Sequence, residues 1–273
     1  MIKTLIIGKR SYLSQNLIKK IKNSKIFSVR EILNSKSKIF RHKEINVIYN
    51  HAYPLSKMNA CKDYGKLLNE NVIILNKLFN FFLKNKVKIN KFIFSSSSAI
   101  NGLNNDLTNF DIFDNNRKLY GVSKLLTEIF LISQKKNFNF DLIIARIFNI
   151  YGLGEKVSLI SKIINLKKKN KKIINFTNQN SFRDFIHISD VVKIYKIFLT
   201  KKNFSGHFNI GSGKAINIRN LINKYFKKNQ QIRQRNRNFY EIKFSRANLN
   251  NLKKITGNLK FVDVNKFIEI NLK

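Results

Sequence analysis

The chain has 273 residues, 43% hydrophobic and 12% aromatic, which suffices for one substantial core or two unequal lobes and excludes intrinsic disorder. Its formal net charge is +38, but the basic residues are spread along the whole length with abundant Asn, Ile and Phe, a bias that an AT-rich coding sequence imposes on solvated faces, so nucleic acid is not the expected partner. One cysteine (Cys61) and four scattered histidines exclude a disulfide framework and a zinc site, and without an apolar run of about 18 residues or a signal-like start the expected location is the cytoplasm, with no membrane partner.

Thr4 to Ile7 is a short apolar run ending at Gly8, and Leu13 to Ile21 has amphipathic helical spacing, so the chain opens strand, turn, helix. Lys25 to Val29 and Asn46 to Tyr49 read as strands, and Asn71 to Leu83 as a helix. Lys91 to Phe94 is a strand running into the serines Ser95 to Ser98; Tyr120 to Gln134 is a helix and Asp141 to Ala145 a buried strand. Such alternation predicts an α/β fold, a doubly wound parallel sheet of Rossmann type whose ligands sit beyond the carboxyl ends of the strands. Gly8, Ser97 and Asn149 each follow a strand at that end.

After Gly152 the texture changes. Val157 to Lys168 and Ile188 to Leu199 are helical, Ile173 to Phe176 is a strand, and Phe208 to Gly213 is a strand followed by a glycine turn. Ile218 to Phe226 and Lys243 to Lys273 complete a smaller C-terminal lobe, and Gln230 to Asn238 reads as a flexible basic loop. The expected division is residues 1-150 plus about 183-205 for the Rossmann domain, with about 151-182 and 206-273 forming the smaller, substrate-binding lobe.

The densest chemistry is Tyr120-Gly-Val-Ser-Lys124. Four positions apart, Tyr120 and Lys124 share a helix face, so the ammonium can stabilise phenolate and bring a phenol that ordinarily titrates near ~10 toward service as an acid or base. Ser97, upstream, would hold the same substrate oxygen. The plain alternative is a surface helix with an ordinary tyrosine and lysine.

Further segments stand in order: Arg146-Ile-Phe-Asn149-Ile-Tyr-Gly152, Arg183-Asp-Phe-Ile-His-Ile-Ser-Asp190 and Phe208-Asn-Ile-Gly211-Ser-Gly213. Together with Ser97 and Tyr120-x-x-x-Lys124 they resemble, collinearly over nearly the full length, the extended short-chain dehydrogenase/reductases of the nucleotide-sugar, NAD-dependent epimerase/dehydratase family. The resemblance implies Tyr120 as general acid/base, Lys124 as its tuner and a ligand of the nicotinamide ribose, and Ser97 as the group orienting the sugar oxygen. It implies Asn149 at the diphosphate and Arg183 at the nucleotide portion of a nucleotide-sugar substrate. It also implies a homodimer formed through the helices Asn71 to Leu83 and Tyr120 to Gln134.

The chain departs from the family pattern in its cofactor loop. Where that family has G-x-x-G-x-x-G, this chain has Gly8-Lys-Arg10-Ser11-Tyr-Leu-Ser14, with side chains at two positions where none is usual. No acidic residue stands at the end of the second strand, and Arg30 stands near that place; with Lys9 and Arg10 it could grip a ribose 2′-phosphate, which favours NADP over NAD. Ser98 and Ala99 replace the acidic pair that a dehydratase needs, so dehydration is not expected. The expected activity is therefore reduction of a nucleotide-linked 4-keto sugar. A 4-epimerase working through a transient 4-ketone with retained NAD, and a catalytically silent member binding a nucleotide sugar, a partner or RNA, are the alternatives.

Overall fold

The computed structural model describes residues 3–35, 40, 43–51, 65, 69–102, 116–170, 173–176, 179–226, 231–234 and 242–273. Cys61 and His42 lie outside them. The chain divides into two compact units, Met1–Arg146 with Val192–Phe208, and Ile147–Val191 with Asn209–Lys273.

In chain order the elements are β1 (Thr4–Ile7), α1 (Tyr12–Ile18), β2 (Ser24–Phe27), α2 (Val29–Leu33), β3 (Glu44–Tyr49), and a π-helical turn (Asn69–Ile73) running into α3 (Ile74–Lys84). Then come β4 (Lys88–Ser97), a 3-10 turn (Ser98–Gly102), α4 (Asn116–Phe138), β5 (Asp141–Ile147), β6 (Asn149–Tyr151), α5 (Leu159–Lys168), β7 (Ile173–Phe176) and β8 (Phe182–His187). The remainder is α6 (Ile188–Thr200), β9 (Gly206–Ile210), β10 (Ala215–Asn217), α7 (Ile218–Tyr225), β11 (Gln231–Gln234), α8 (Asn250–Thr256) and α9 (Val264–Leu272).

A six-stranded sheet runs β2-β1-β3-β4-β5-β9, with β1 parallel to both β2 and β3, and β3 parallel to β4. Helices flank it, as the alternating pattern predicts. Leu5, Ile6 and Ile7 are all fully buried, which is why the run is continuously apolar instead of alternating. The chain leaves β1 toward β2 on one side and returns to β3 on the other, so the direction of winding reverses between β1 and β3. In sheets of this kind that reversal opens a crevice at the carboxyl ends of the strands.

Local chemistry sets the element ends. The strand read as Lys25 to Val29 stops at Phe27, because Ser28 and Glu31 form a capping box that starts α2 at Val29. In α3, Leu75, Leu78, Phe79 and Phe82 are buried at helical spacing. The Phe79 ring lies 5.5 Å from Phe92, 4.9 Å from Phe138 and 5.9 Å from Phe140, an aromatic core between α3, the sheet and α4.

The second unit has its own core, including Tyr151, Ile160, Ile174, Phe185, Leu221 and Ile268, and two small sheets, β10-β8-β6 and β11-β7. Within the segment read as a flexible basic loop, Gln231–Gln234 is a strand parallel to β7, with Ile232 opposite Ile174. Its ladder is made by backbone groups, and a single apolar residue among polar neighbours gives no alternating signal. Among the described residues no helix is long and apolar enough to cross a membrane.

Candidate active site

The crevice at the winding reversal is built from Gly8, which follows β1, and Asn50 and His51, which follow β3. Gly8 has φ +112°, and a Cβ there would stand 2.9 Å from the Asn50 carbonyl carbon and 3.0 Å from the His51 nitrogen. Only glycine fits, and it leaves bare backbone at the mouth of the crevice. The two serines of the altered loop turn their hydroxyls inward. Ser11 caps α1 and accepts from the Ser14 amide, while Ser14, fully buried, accepts from Asn50 Nδ2 at 2.8 Å. The two extra side chains are thus absorbed into the loop, and the loop's residues fit a dinucleotide pyrophosphate.

Arg10 and Arg30 are both exposed. Glu31 of α2 stands at this corner as well. Its carboxylate accepts from the Ser28 amide at 2.7 Å and from Lys9 Nζ at 2.6 Å, and these hydrogen bonds, Lys9 first, hold it well below the usual range, at about 2. An ionised carboxylate therefore reaches back to the glycine loop from the first turn of α2, and Lys9 is engaged with it.

Ser97, Tyr120 and Lys124 are brought together in the first unit. β4 delivers Ser95, Ser96 and Ser97 in succession, and α4 presents Tyr120 and Lys124 one turn apart. The Tyr120 phenol is hydrogen-bonded to Ser97. Lys124 Nζ donates to the Ser95 carbonyl at 2.9 Å and lies 4.8 Å from the Phe94 ring centroid and 5.8 Å from that of Tyr120. Burial pulls the Lys124 ammonium down to about 8, with the Glu128 carboxylate opposing. Burial also pushes the Tyr120 phenol upward, and the Ser97 hydrogen bond works against that rise. The spacing leads one to expect that Lys124 lowers the phenol, but burial is the dominant influence and the phenol is raised. The ammonium spends its hydrogen bond on a backbone carbonyl, and desolvation dominates the phenol.

Around this trio runs a polar network. The Ser95 hydroxyl contacts Asn50 Oδ1 and lies 2.6 Å from the Tyr195 hydroxyl. The Ser96 hydroxyl, on the opposite face of β4, donates to Glu128 Oε1 at 2.5 Å. Glu128 in turn accepts from Arg146 Nε at 3.1 Å and Nη2 at 2.7 Å. Asn50 and Glu128 were both missed in the sequence. Helical spacing reveals Glu128, which extends the Tyr120 and Lys124 stripe by another turn, whereas nothing local marks Asn50.

Asn149 and Arg183 belong to the second unit. Asn149, opening β6, donates from Nδ2 to the Asp184 carbonyl at 2.7 Å, and Arg183 Nη1 donates to the Phe182 carbonyl at 2.8 Å. Next to Arg183, Asp184 is fully buried. Its Oδ1 accepts from the Ser212 amide and hydroxyl at 2.8 and 2.7 Å, and its Oδ2 from the Gly213 and Ala247 amides at 2.9 and 3.0 Å. A Cβ on Gly211 would stand 2.6 Å from Ala247 Cβ and 2.8 Å from Asp184 Oδ2, which explains the glycine there. Asp190 accepts from the Val262 amide at 2.8 Å, and His187 Nδ1 pairs with the Ser189 hydroxyl at 2.8 Å.

Residues 5–211 match the model of the NAD dependent epimerase/dehydratase family. An ADP-L-glycero-D-manno-heptose-6-epimerase of Brachyspira hyodysenteriae is 25% identical over 248 residues, 77% of this chain and 76% of that protein. A dTDP-D-glucose 4,6-dehydratase of Dictyostelium discoideum is 29% identical over 200 residues, 68% of this chain but only 45% of that longer protein. Among solved structures, the UDP-N-acetylglucosamine 4-epimerase from Methanobrevibacter ruminantium M1 superposes with a TM-score of 0.75 at 21% identity, covering 99% of this chain and 96% of that one.

Proposed function

Because the chain belongs to the NAD-dependent epimerase/dehydratase family, we propose that it interconverts a carbinol and a ketone at C4 of a nucleotide-linked sugar, with Tyr120 giving or taking the proton. A nicotinamide dinucleotide, when bound, supplies the acceptor or donor of hydride. The observation that carries this reading is the Ser97 to Tyr120 hydrogen bond, with Lys124 on the same helix face. Ser97 orients the sugar oxygen, Tyr120 moves its proton, and Lys124 supplies the positive field that an emerging phenolate needs. Gly8, Ser11 and Ser14 would hold the dinucleotide's pyrophosphate, and Lys124 its nicotinamide ribose. Asn149 and Arg183 are assigned to the diphosphate and nucleotide portion of the substrate.

The Lys9 to Glu31 pair favours NAD, since a fixed carboxylate accepts ribose hydroxyls and repels a 2′-phosphate. That supports epimerisation, in which the hydride returns to the sugar from which it came. Reduction of a 4-keto sugar with NADPH is the second reading, favoured by the exposed Arg10 and Arg30 beside the same loop. Dehydration is disfavoured, because Ser98 and Ala99 provide no carboxylate for proton abstraction.

The test is product analysis with UDP-glucose, UDP-N-acetylglucosamine, ADP-heptose and dTDP-4-keto-6-deoxyglucose, with and without NADPH. Isomerised product without net consumption of dinucleotide supports the epimerase, and stoichiometric loss of NADPH the reductase. Failure to bind either dinucleotide at millimolar concentration sinks both. A homodimer is proposed through α3 and α4, where Leu83, Leu126, Ile129 and Ile132 are exposed apolar side chains. In sedimentation, Ile129→Asp should convert a dimer to a monomer, and a wild-type monomer would contradict the proposal.

A further inference from the structure

Three positions of α4 spaced four apart, Tyr120, Lys124 and Glu128, meet three successive serines of β4. Tyr120 bonds the Ser97 hydroxyl, Lys124 the Ser95 carbonyl at 2.9 Å, and Glu128 the Ser96 hydroxyl at 2.5 Å. Of the three, Glu128 is also gripped from β5, where the Arg146 guanidinium places Nε and Nη2 on its two oxygens at 3.1 and 2.7 Å. Glu128 is 1% exposed. A buried ion pair recovers little or none of its desolvation cost compared with apolar packing, so stability is a weak reason for its presence. Its geometry is a better one: a forked, two-point grip is directional and singles out one lengthwise position of the helix on the strand.

We propose that Glu128 is a positioning residue for proton transfer: clamped by Arg146 and Ser96, it fixes the register of α4 on β4 that brings Tyr120 to Ser97 and Lys124 to Ser95. The inference rests on the assignment of Tyr120 and Lys124 made above and extends it to a buried residue held by Ser96 and Arg146. Charge adds a second effect. Lys124 is drawn down to about 8 by burial, and Glu128 is the opposing neighbour that sustains its ammonium form. Among the described residues, the other groups facing the pair are Arg146 of β5, His207 of β9 at 3.9 Å from Glu128, and His51 after β3, itself paired with Glu70 at 3.3 Å.

The experiment compares Glu128→Gln, Ser96→Ala and Tyr120→Phe in the full chain, using the nucleotide sugar that the wild type turns over in the panel above and NADH fluorescence for binding. Glu128→Gln should lower kcat by about tenfold to a hundredfold, the scale of a misplaced reacting group. NADH affinity should fall far less than kcat, since of the dinucleotide contacts only that of Lys124 with the nicotinamide ribose depends on the register of α4. The alkaline limb of the kcat profile should move to lower pH, because Lys124 loses the charge that sustains it. Ser96→Ala, which leaves the Arg146 pair in place, should lower kcat by about threefold to tenfold without moving that limb. A folded Glu128→Gln variant with wild-type kcat and an unmoved limb overturns the proposal. If Glu128→Gln does not fold, wild-type kcat in Ser96→Ala overturns it instead. Full turnover in Tyr120→Phe, or none by the wild type on any sugar, defeats the underlying assignment, an outcome readable separately from the Glu128 result.

Discussion

The two units treat their motif residues in opposite ways. In the second, Asp184 has both carboxylate oxygens filled by four donors from Ser212, Gly213 and Ala247, and Asp190 is tied to the Val262 amide. In the first, Tyr120 and Lys124 are equally embedded in motif, yet the phenol meets a side-chain hydroxyl, that of Ser97, instead of backbone donors, and burial works against the ammonium. A polar residue saturated by backbone groups fastens the chain. One with a labile partner and a displaced pKa is available for chemistry. Both kinds score alike as motif, and only their bonding separates them.

Tyr120→Phe should sharpen this contrast most, lowering kcat by about 100-fold to 10,000-fold, the usual worth of a positioned acid/base, with melting temperature and dinucleotide affinity nearly unchanged. Asp184→Ala should do the reverse. It strands three backbone amides and leaves a void, so unfolding free energy should fall by about 3–5 kcal/mol in denaturant titration. A mild loss there would mean that the carboxylate is no fastener.

Lys124→Met tests the strain directly. The folded chain holds this ammonium at about 8 against an ordinary 10.5, so below about pH 8 its burial is a full penalty. Between those values the unfolded chain binds more protons, so wild-type stability should rise with pH through that window and the variant should lose this rise. At neutral pH the variant should be inactive yet more stable by on the order of 2–3 kcal/mol. A destabilised variant would show that the bond to the Ser95 carbonyl outweighs desolvation. The smallest effect belongs to Glu31→Gln, which should move dinucleotide preference toward NADP by about twofold to fivefold, since the pair with Lys9 is exposed. Competitive titration of NAD against NADP reads that ratio, and an unchanged ratio removes Glu31 from cofactor selection.

The sheet was legible because fully buried strands such as Thr4–Ile7 are continuously apolar and α3 keeps strict helical spacing. That Tyr120 and Lys124 share a helix face was legible in their four-residue spacing, and that Ser97 ends a strand in the apolar run before it. β11 was not, since its pairing with β7 is written in backbone groups. Neither was Glu31, because the strand was read two residues too long and hid the capping box. Asn50 acts through contacts with Ser14 and Ser95, 36 and 45 residues away, and such tertiary pairings leave no periodic trace.

The four-donor knot around Asp184 has a practical corollary for chimeras. Ala247 lies beyond residues 5–211, the stretch shared with the family, yet its amide completes that knot, and its methyl faces the gap that Gly211 leaves. A carboxyl-terminal graft from a relative must therefore bring a small residue with a free backbone donor to that point. Otherwise the exchanged segment will unsettle β8, the strand that carries Arg183.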